Sequence, residues 1–167
     1  SDLVLLSAIA WLNKDLYLTD GNKLKVIRST PDTSRCAIQT LFVYENDKSI
    51  SFNALAGRDQ TIYVATGDNK IFKADSNGGN TKEVFIQDNT MSIVSALATD
   101  NQGNLYIADS DNKRILILHP DEGRLETIHT MDGKPQGLAY DTDLKRLYFT
   151  FLNAEGKGFI HYLQRIE

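Results

Sequence analysis

The stretch VSALATDNQGNLYIADSDNKRILIL, residues 94–118, decides how this chain is read. Three short apolar runs stand in it, cut first by Asp-Asn-Gln-Gly (100–103) and then by Asp-Ser-Asp-Asn-Lys (109–113). Ile, Val and Tyr suit a pleated, half-buried surface. Asp, Asn and Gly form turns, because they bond their own backbone or tolerate left-handed torsions. The stretch therefore predicts strand, turn, strand, turn, strand, packed tightly.

The same phrase recurs outward from it. SAIAWLNKDLYLTDGNKLKVI begins at Ser7, NALAGRDQTIYVATGDNKIFKAD at Asn53, SALATDNQGNLYIADSDNKRILIL at Ser95 and QGLAYDTDLKRLYFTFLNAEGKGFIHYL at Gln136. The tyrosines of the Leu/Ile-Tyr pairs are Tyr17, Tyr63, Tyr106 and Tyr148, spaced by 46, 43 and 42 residues. A period slightly above 40 with several short strands per unit is the signature of propeller blades. Each unit predicts a small apolar inner strand (8–10, 54–56, 96–98, 137–139), a second strand carrying the tyrosine, and a third strand (24–27, 71–73, 115–118, 159–162). A more polar outer strand is expected at 41–44, 84–86 and 125–128. No window holds apolar residues at helical spacing together with caps. The expected fold is all-β: a β-propeller of four-stranded antiparallel blades, about four in number, the last incomplete. One propeller domain over 1–167 is expected, with blades near 3–50, 51–92, 93–134 and 135–167.

Bulk properties narrow the partners. The chain has 167 residues, 41% hydrophobic and 24% charged, with a formal net charge of −4. Its basic residues are scattered, so no nucleic-acid partner is expected. No apolar run reaches spanning length, so no membrane partner is expected either. The apolar segment 3–12 is too short and lacks the basic flank of a leader. A leader removed before Ser1 would favour an extracellular, secreted protein, although the chain contains no Asn-x-Ser/Thr acceptor. Its compartment is otherwise open. Cys36 is the single cysteine, expected to be a buried, inert thiol. Trp11 is expected in the core, and the four repeated tyrosines in packing between blades. The glycines of SNGGN (76–80) read as a turn between the third and fourth strands.

The third unit goes beyond a generic pattern. Its LATDNQGNLYIADSDNKRILIL resembles the NHL repeat, and KPQGLAYDTDLKRLYFT in the fourth unit is similar to the YWTD-type repeat. Both resemble strands of gluconolactonase-like, strictosidine-synthase-like and yellow-like propellers. The resemblance implies a ring, usually of six blades, and a fold that hosts lactonases, lyase-like enzymes, ligand carriers and protein-binding scaffolds alike. It also implies where a lactonase would hold a divalent metal: an acid plus Asn or Asp residues at the start of the inner strands. Asn53 fits that pattern, whereas Gln136, within Pro-Gln-Gly, departs from it.

Four residues precede the inner strands: Ser7, Asn53, Ser95 and Gln136. All are polar and uncharged, suited to bind a ligand at the channel mouth or to hold channel water. None is a carboxylate, and hard cations want several carboxylate oxygens. Nearby loops on the same face carry Asp20, Asp68, Asp109 and Asp111. Their carboxylates suggest calcium only weakly, since Asp in a tight turn usually caps its own backbone. No metal or other cofactor is expected. His119, His129 and His161 do not align with one another, and none is accompanied by a nucleophile and an orienting group; structural roles are expected, and no catalytic residue is assigned.

The count leaves the ring unfinished. The fourth unit stops after its third strand, and an open set of four blades would leave two apolar faces wet, the mark of an interface. Leu3–Leu6 closing a small ring is the competing arrangement. The expected partner is a second copy or further blades completing the ring, together with a protein, peptide or small ligand at the channel face. The chain thus reads as a non-enzymatic, NHL-like binding scaffold. The alternative is a lactonase- or hydrolase-type enzyme whose divalent-metal site is completed by blades outside this chain.

Overall fold

The computed structural model describes residues 6–29, 36–45, 50–84 and 91–164. Among them every regular element is a strand, and the strands form four antiparallel sheets, the blades of a β-propeller. Blade one is β1 (Leu6–Leu12), β2 (Asp15–Asp20), β3 (Lys23–Ser29) and β4 (Cys36–Val43). Blade two is β5 (Phe52–Arg58), β6 (Thr61–Thr66), β7 (Ile71–Asp75) and the two-residue β8 (Lys82–Glu83). Blade three is β9 (Val94–Thr99), β10 (Leu105–Asp109), β11 (Arg114–His119) and β12 (Arg124–Thr130). Blade four has three strands, β13 (Lys134–Asp141), β14 (Arg146–Leu152) and β15 (Gly158–Gln164). Strands lie side by side in chain order in every sheet. The all-β, four-blade expectation with an incomplete last blade holds. No helix of the described residues is long and apolar enough to cross a membrane.

Turn chemistry sets the registers. β1 and β2 meet through the two-residue connection Asn13-Lys14, both at positive φ (50° and 71°), opposite the Leu12–Asp15 pair. Two left-handed residues give the turn twist that matches paired strands, and Asn accepts that conformation readily. The fourth strand of blade one begins at Cys36, five residues before the expected start, so the Cys36 thiol lies on an exposed outer strand rather than in the core. Of the expected outer strand at 84–86, Val84 directly follows β8 and donates to the Ile71 carbonyl; residues 85 and 86 lie outside the described residues, as do Leu3–Leu5 of the proposed closing segment.

By its internal contacts the chain divides into two compact units, Ser1–Val84 and Phe85–Glu167. Each unit packs two blades face to face. In the first, Leu12, Tyr17, Leu24 and Val26 of blade one meet Phe52, Leu55, Ile62, Val64 and Phe72 of blade two. In the second, Ala98, Tyr106, Ile115 and Ile117 of blade three meet Leu147 and Phe149 of blade four, with Leu138 and Tyr140 alongside. One rule covers both contacts. The tyrosine face of a blade packs on the opposite face of the blade that follows, because strand side chains alternate with period two.

Two consequences correct the sequence reading. Tyr17 and Tyr106 pack between blades, but Tyr148 is half-buried against Tyr162 of its own sheet, ring centroids 5.8 Å apart. Trp11 is not in the core. It lies on the face of β1 turned away from blade two and is 68% exposed.

Candidate functional site

The inner-strand positions divide into two kinds. Ser7 Oγ donates to the Phe52 carbonyl at 2.6 Å, and Ser95 Oγ donates to the Pro135 carbonyl at 2.7 Å. These are the same contact in the two units: the serine that opens the first inner strand fastens it to the start of the next blade's inner strand. A short hydroxyl at this place suits closely approaching strands, and each bond satisfies a backbone carbonyl that packing would otherwise leave without water. Ser7 and Ser95 therefore serve as clasps between blades.

Asn53 and Gln136 are the corresponding residues of the second blade in each unit. Asn53 is half-buried, beside the Gly67 backbone, and its amide makes no hydrogen bond to another described residue. Gln136 is exposed; its Nε2 donates at long range to Ser110 Oγ (3.4 Å) and the Lys134 carbonyl (3.5 Å). Each unit thus presents one primary amide, a group that both donates and accepts hydrogen bonds.

The four aspartates each carry donors. Asp20 is buried with Lys25, whose Nζ lies 2.5 Å from Oδ2. Asp68 accepts from the Tyr44 hydroxyl (2.9 Å) and from Thr66 Oγ1 (2.5 Å). Asp111 is exposed and accepts from Lys134 Nζ at 2.5 Å, joining blade three to blade four. Asp109 is fully buried. It accepts from Ser92 N (2.8 Å), Ser92 Oγ (2.5 Å), Asn112 Nδ2 (2.9 Å) and Arg114 Nε (2.7 Å). Burial pushes the Asp109 carboxyl up, but these hydrogen bonds outweigh it and hold the group below the usual carboxylate range. Among the described residues no group of three or more His, Cys, Asp or Glu is arranged to hold a metal ion.

A second cluster escaped the sequence reading. Asp100 is fully buried in the turn between β9 and β10 and accepts from Gln102 N, Asn104 N, Asn104 Nδ2 and the Tyr106 hydroxyl. Asn104 Oδ1 in turn meets His119 Nδ1 at 2.7 Å, and His119 Nε2 lies 3.6 Å from Glu126. His119 is therefore a fixed ring at the end of β11, beside an inter-blade groove of about 490 Å³. The signal was present in the alignment of the units. His119 stands where blade one has Arg28, and Asn104 where it has Asp15, a pair bonded at 2.9 Å. His129 and His161 flank Phe149 as ring neighbours at 5.3 and 5.9 Å, the structural roles expected of them.

By sequence, the chain matches no protein-family model and no curated protein. By structure it is similar to many solved proteins. One is a chain of the nidogen/laminin complex, with a TM-score of 0.72 and 21% identity over 99% of this chain and 66% of that one. Another is the luciferin-regenerating enzyme, with a TM-score of 0.68 and 13% identity over 98% of this chain and 64% of that one. The computationally designed Ika4 protein gives a TM-score of 0.67 and 15% identity over 98% of this chain and 94% of that one. The likeness establishes the β-propeller fold alone. This chain spans less than two thirds of the two natural proteins named.

Proposed function

We propose that this chain is a propeller binding scaffold with NHL-like blades, which takes a protein, peptide or small ligand at the ends of its inner strands without catalysing a reaction. One observation carries the reading. Of the polar groups at the inner-strand starts, the two serines donate to carbonyls of the next blade in clasps, and the other two, Asn53 and Gln136, are amides. Amides recognise by hydrogen bonding; they are neither nucleophiles nor general bases. The aspartates of the same loops are occupied by lysine, tyrosine, serine and arginine donors. The proposal requires no cofactor.

We also propose that the scaffold works as a ring made with a second copy. The support comes from repeat positions that change burial. Leu24 and Ile115 are fully buried, yet Ile160 at the matching place in blade four is 74% exposed. Leu55 and Leu97 are buried, yet Ile9 at the matching place in blade one is 66% exposed. Blade four thus presents a tyrosine face, and blade one the opposite face, each written like the faces that pack together within a unit. Blade one of one copy fits blade four of the other.

Selection from a random peptide library against the full chain tests the binding reading. It should yield binders whose affinity falls about tenfold in Asn53→Ala or Gln136→Ala. Divalent-metal-dependent hydrolysis of a lactone, with no peptide enriched, would favour a hydrolase instead.

A further inference from the structure

Of the four residues at the starts of the inner strands, three have found a partner in the fold. Ser7 and Ser95 donate to carbonyls of the next blade, and Gln136 reaches Ser110 Oγ at 3.4 Å. Asn53 has no such partner among the described residues. The register explains the difference. Ser110 follows Asp109, which pairs with Arg114 at the end of β10; in blade one the corresponding residue follows Asp20, which pairs with Lys23, and is Gly21. The hydroxyl that meets the amide in the second unit is therefore missing from the first. Gly21 lies beside Asn53 in the chain path, its carbonyl accepting from Phe52 N at 2.9 Å, and a Cβ added to it would meet nothing within 4 Å.

The other flank of Asn53 is open as well. Gly67, in the turn between β6 and β7, is exposed, and a Cβ there would stand 3.5 Å from the Ser51 carbonyl and 3.8 Å from Asn53 Oδ1, ordinary contact distances. Its φ is not in the left-handed region. Blade three carries Ser110 at the same place: Gly67 N donates to the Ser51 carbonyl and Ser110 N to the Ile93 carbonyl, each at 2.9 Å. Neither backbone torsion nor packing requires a glycine there. Its effect is to clear the flank of Asn53, and glycine is the residue that lets a backbone come close to a ligand. The half-buried Asn53 amide thus has a glycine on either side, one from each blade of the unit.

We infer that the notch formed by Gly21, Asn53 and Gly67 binds an extended peptide by its main chain, with Asn53 Oδ1 accepting from a backbone N–H and Asn53 Nδ2 donating to the carbonyl of the same residue. An extended residue presents its N–H and C=O on one edge, the pair that antiparallel strands exchange. A primary amide offers the complementary acceptor and donor. A ligand that carries only a carboxylate or only a hydroxyl at this point cannot match the pair in that way. A notch walled by glycine backbone rather than by side chains admits a main chain, so little sequence selectivity is expected at the residue that Asn53 holds. The inference rests on the scaffold reading and narrows it: the ligand is a peptide, and Asn53 anchors it.

The test is an NMR titration of the full, isotope-labelled chain with capped tetra-alanine, whose polar groups are all main-chain amides, beside the same peptide N-methylated at every residue. Shifts are expected in the Asn53 side-chain amide and in the Gly21 and Gly67 backbone amides with the first probe and not with the second. Binding should be about tenfold weaker in Asn53→Asp, which keeps the shape and an acceptor but loses the donor, and in Gly67→Leu, which leaves Asn53 in place and closes its flank. Two variants are used because either alone could disturb the blade. Equal binding of the methylated probe, or shifts confined to other residues, would overturn the site and leave the scaffold reading standing. No shift with either probe at millimolar concentration would overturn it too. The library selection then separates the two claims: a selected peptide bound elsewhere on the inner-strand ends would keep the scaffold reading, and no enriched peptide would end both.

Discussion

Asp109 shows how a single carboxylate is spent in this fold. Four donors reach it in a fully buried site, so removing its charge breaks its ion pair with Arg114. Asp109→Asn is expected to cost about 2–4 kcal/mol in urea unfolding, since breaking a buried ion pair exceeds the net worth of the pair. Because the folded carboxyl titrates below its unfolded value, its contribution is complete above an unfolded pKa of about 3.9 and fades as pH falls through the lower folded value. The variant should therefore lose less stability than the parent between about pH 6 and about pH 3; equal losses would mean the carboxylate is not stabilised in the fold. The serine clasps are weaker. Ser95→Ala should cost about 1 kcal/mol and leave m-values unchanged, as one neutral hydrogen bond is lost. At this scale the sequence was legible only in part. The positions of Ser7 and Ser95 followed from the repeat, but a serine that fastens a blade and one that faces a ligand are written identically. What separates them is whether a carbonyl of the next blade comes within reach, and that depends on packing.

Strands show a gradient across each blade. All five residues of β10 are buried, whereas five of the seven residues of β12 and six of the seven in β15 are exposed. Amide exchange is therefore expected to be slowest in β10 and its neighbour β11, and fast along β15, whose outer edge pairs with no described strand. Exchange in β15 as slow as in β10 would mean that its edge is covered in solution. Most of these elements could be read in advance, because the turn residues are explicit: Asn13-Lys14, Asp59-Gln60 and the Asp100–Asn104 loop each close a hairpin at the expected place. Outer strands were harder. β4 starts at Cys36 because an edge strand pays little for polar or small residues, so Cys-Ala-Ile-Gln-Thr carries no burial pattern to mark it.

For the molecule as a whole, the repeat makes a quantitative statement about faces. A residue at one repeat position should be equally buried in each blade, unless the neighbouring blade is missing. Ile9, Trp11, Ile160 and Tyr162 depart from it by being exposed, and all four lie on the first and last blades. Burying large side chains of this kind contributes about 1.5–3 kcal/mol each, so a partner for these faces has a strong apolar drive. The sequence disclosed the three strands of the fourth blade directly; what it withheld was which residues would be left uncovered, since Trp11 is written as core. Placing a lysine at Ile160 should weaken association without unfolding the blade, because that side chain already faces solvent. The most direct measurement is the mass in solution by light scattering behind a sizing column, across a concentration series and for Ile160→Lys beside the parent. A mass near twice 18.7 kDa for the parent, falling toward one chain in the variant, is the predicted result. A parent that stays a single chain at every concentration, with the variant indistinguishable from it, would contradict the two-copy ring.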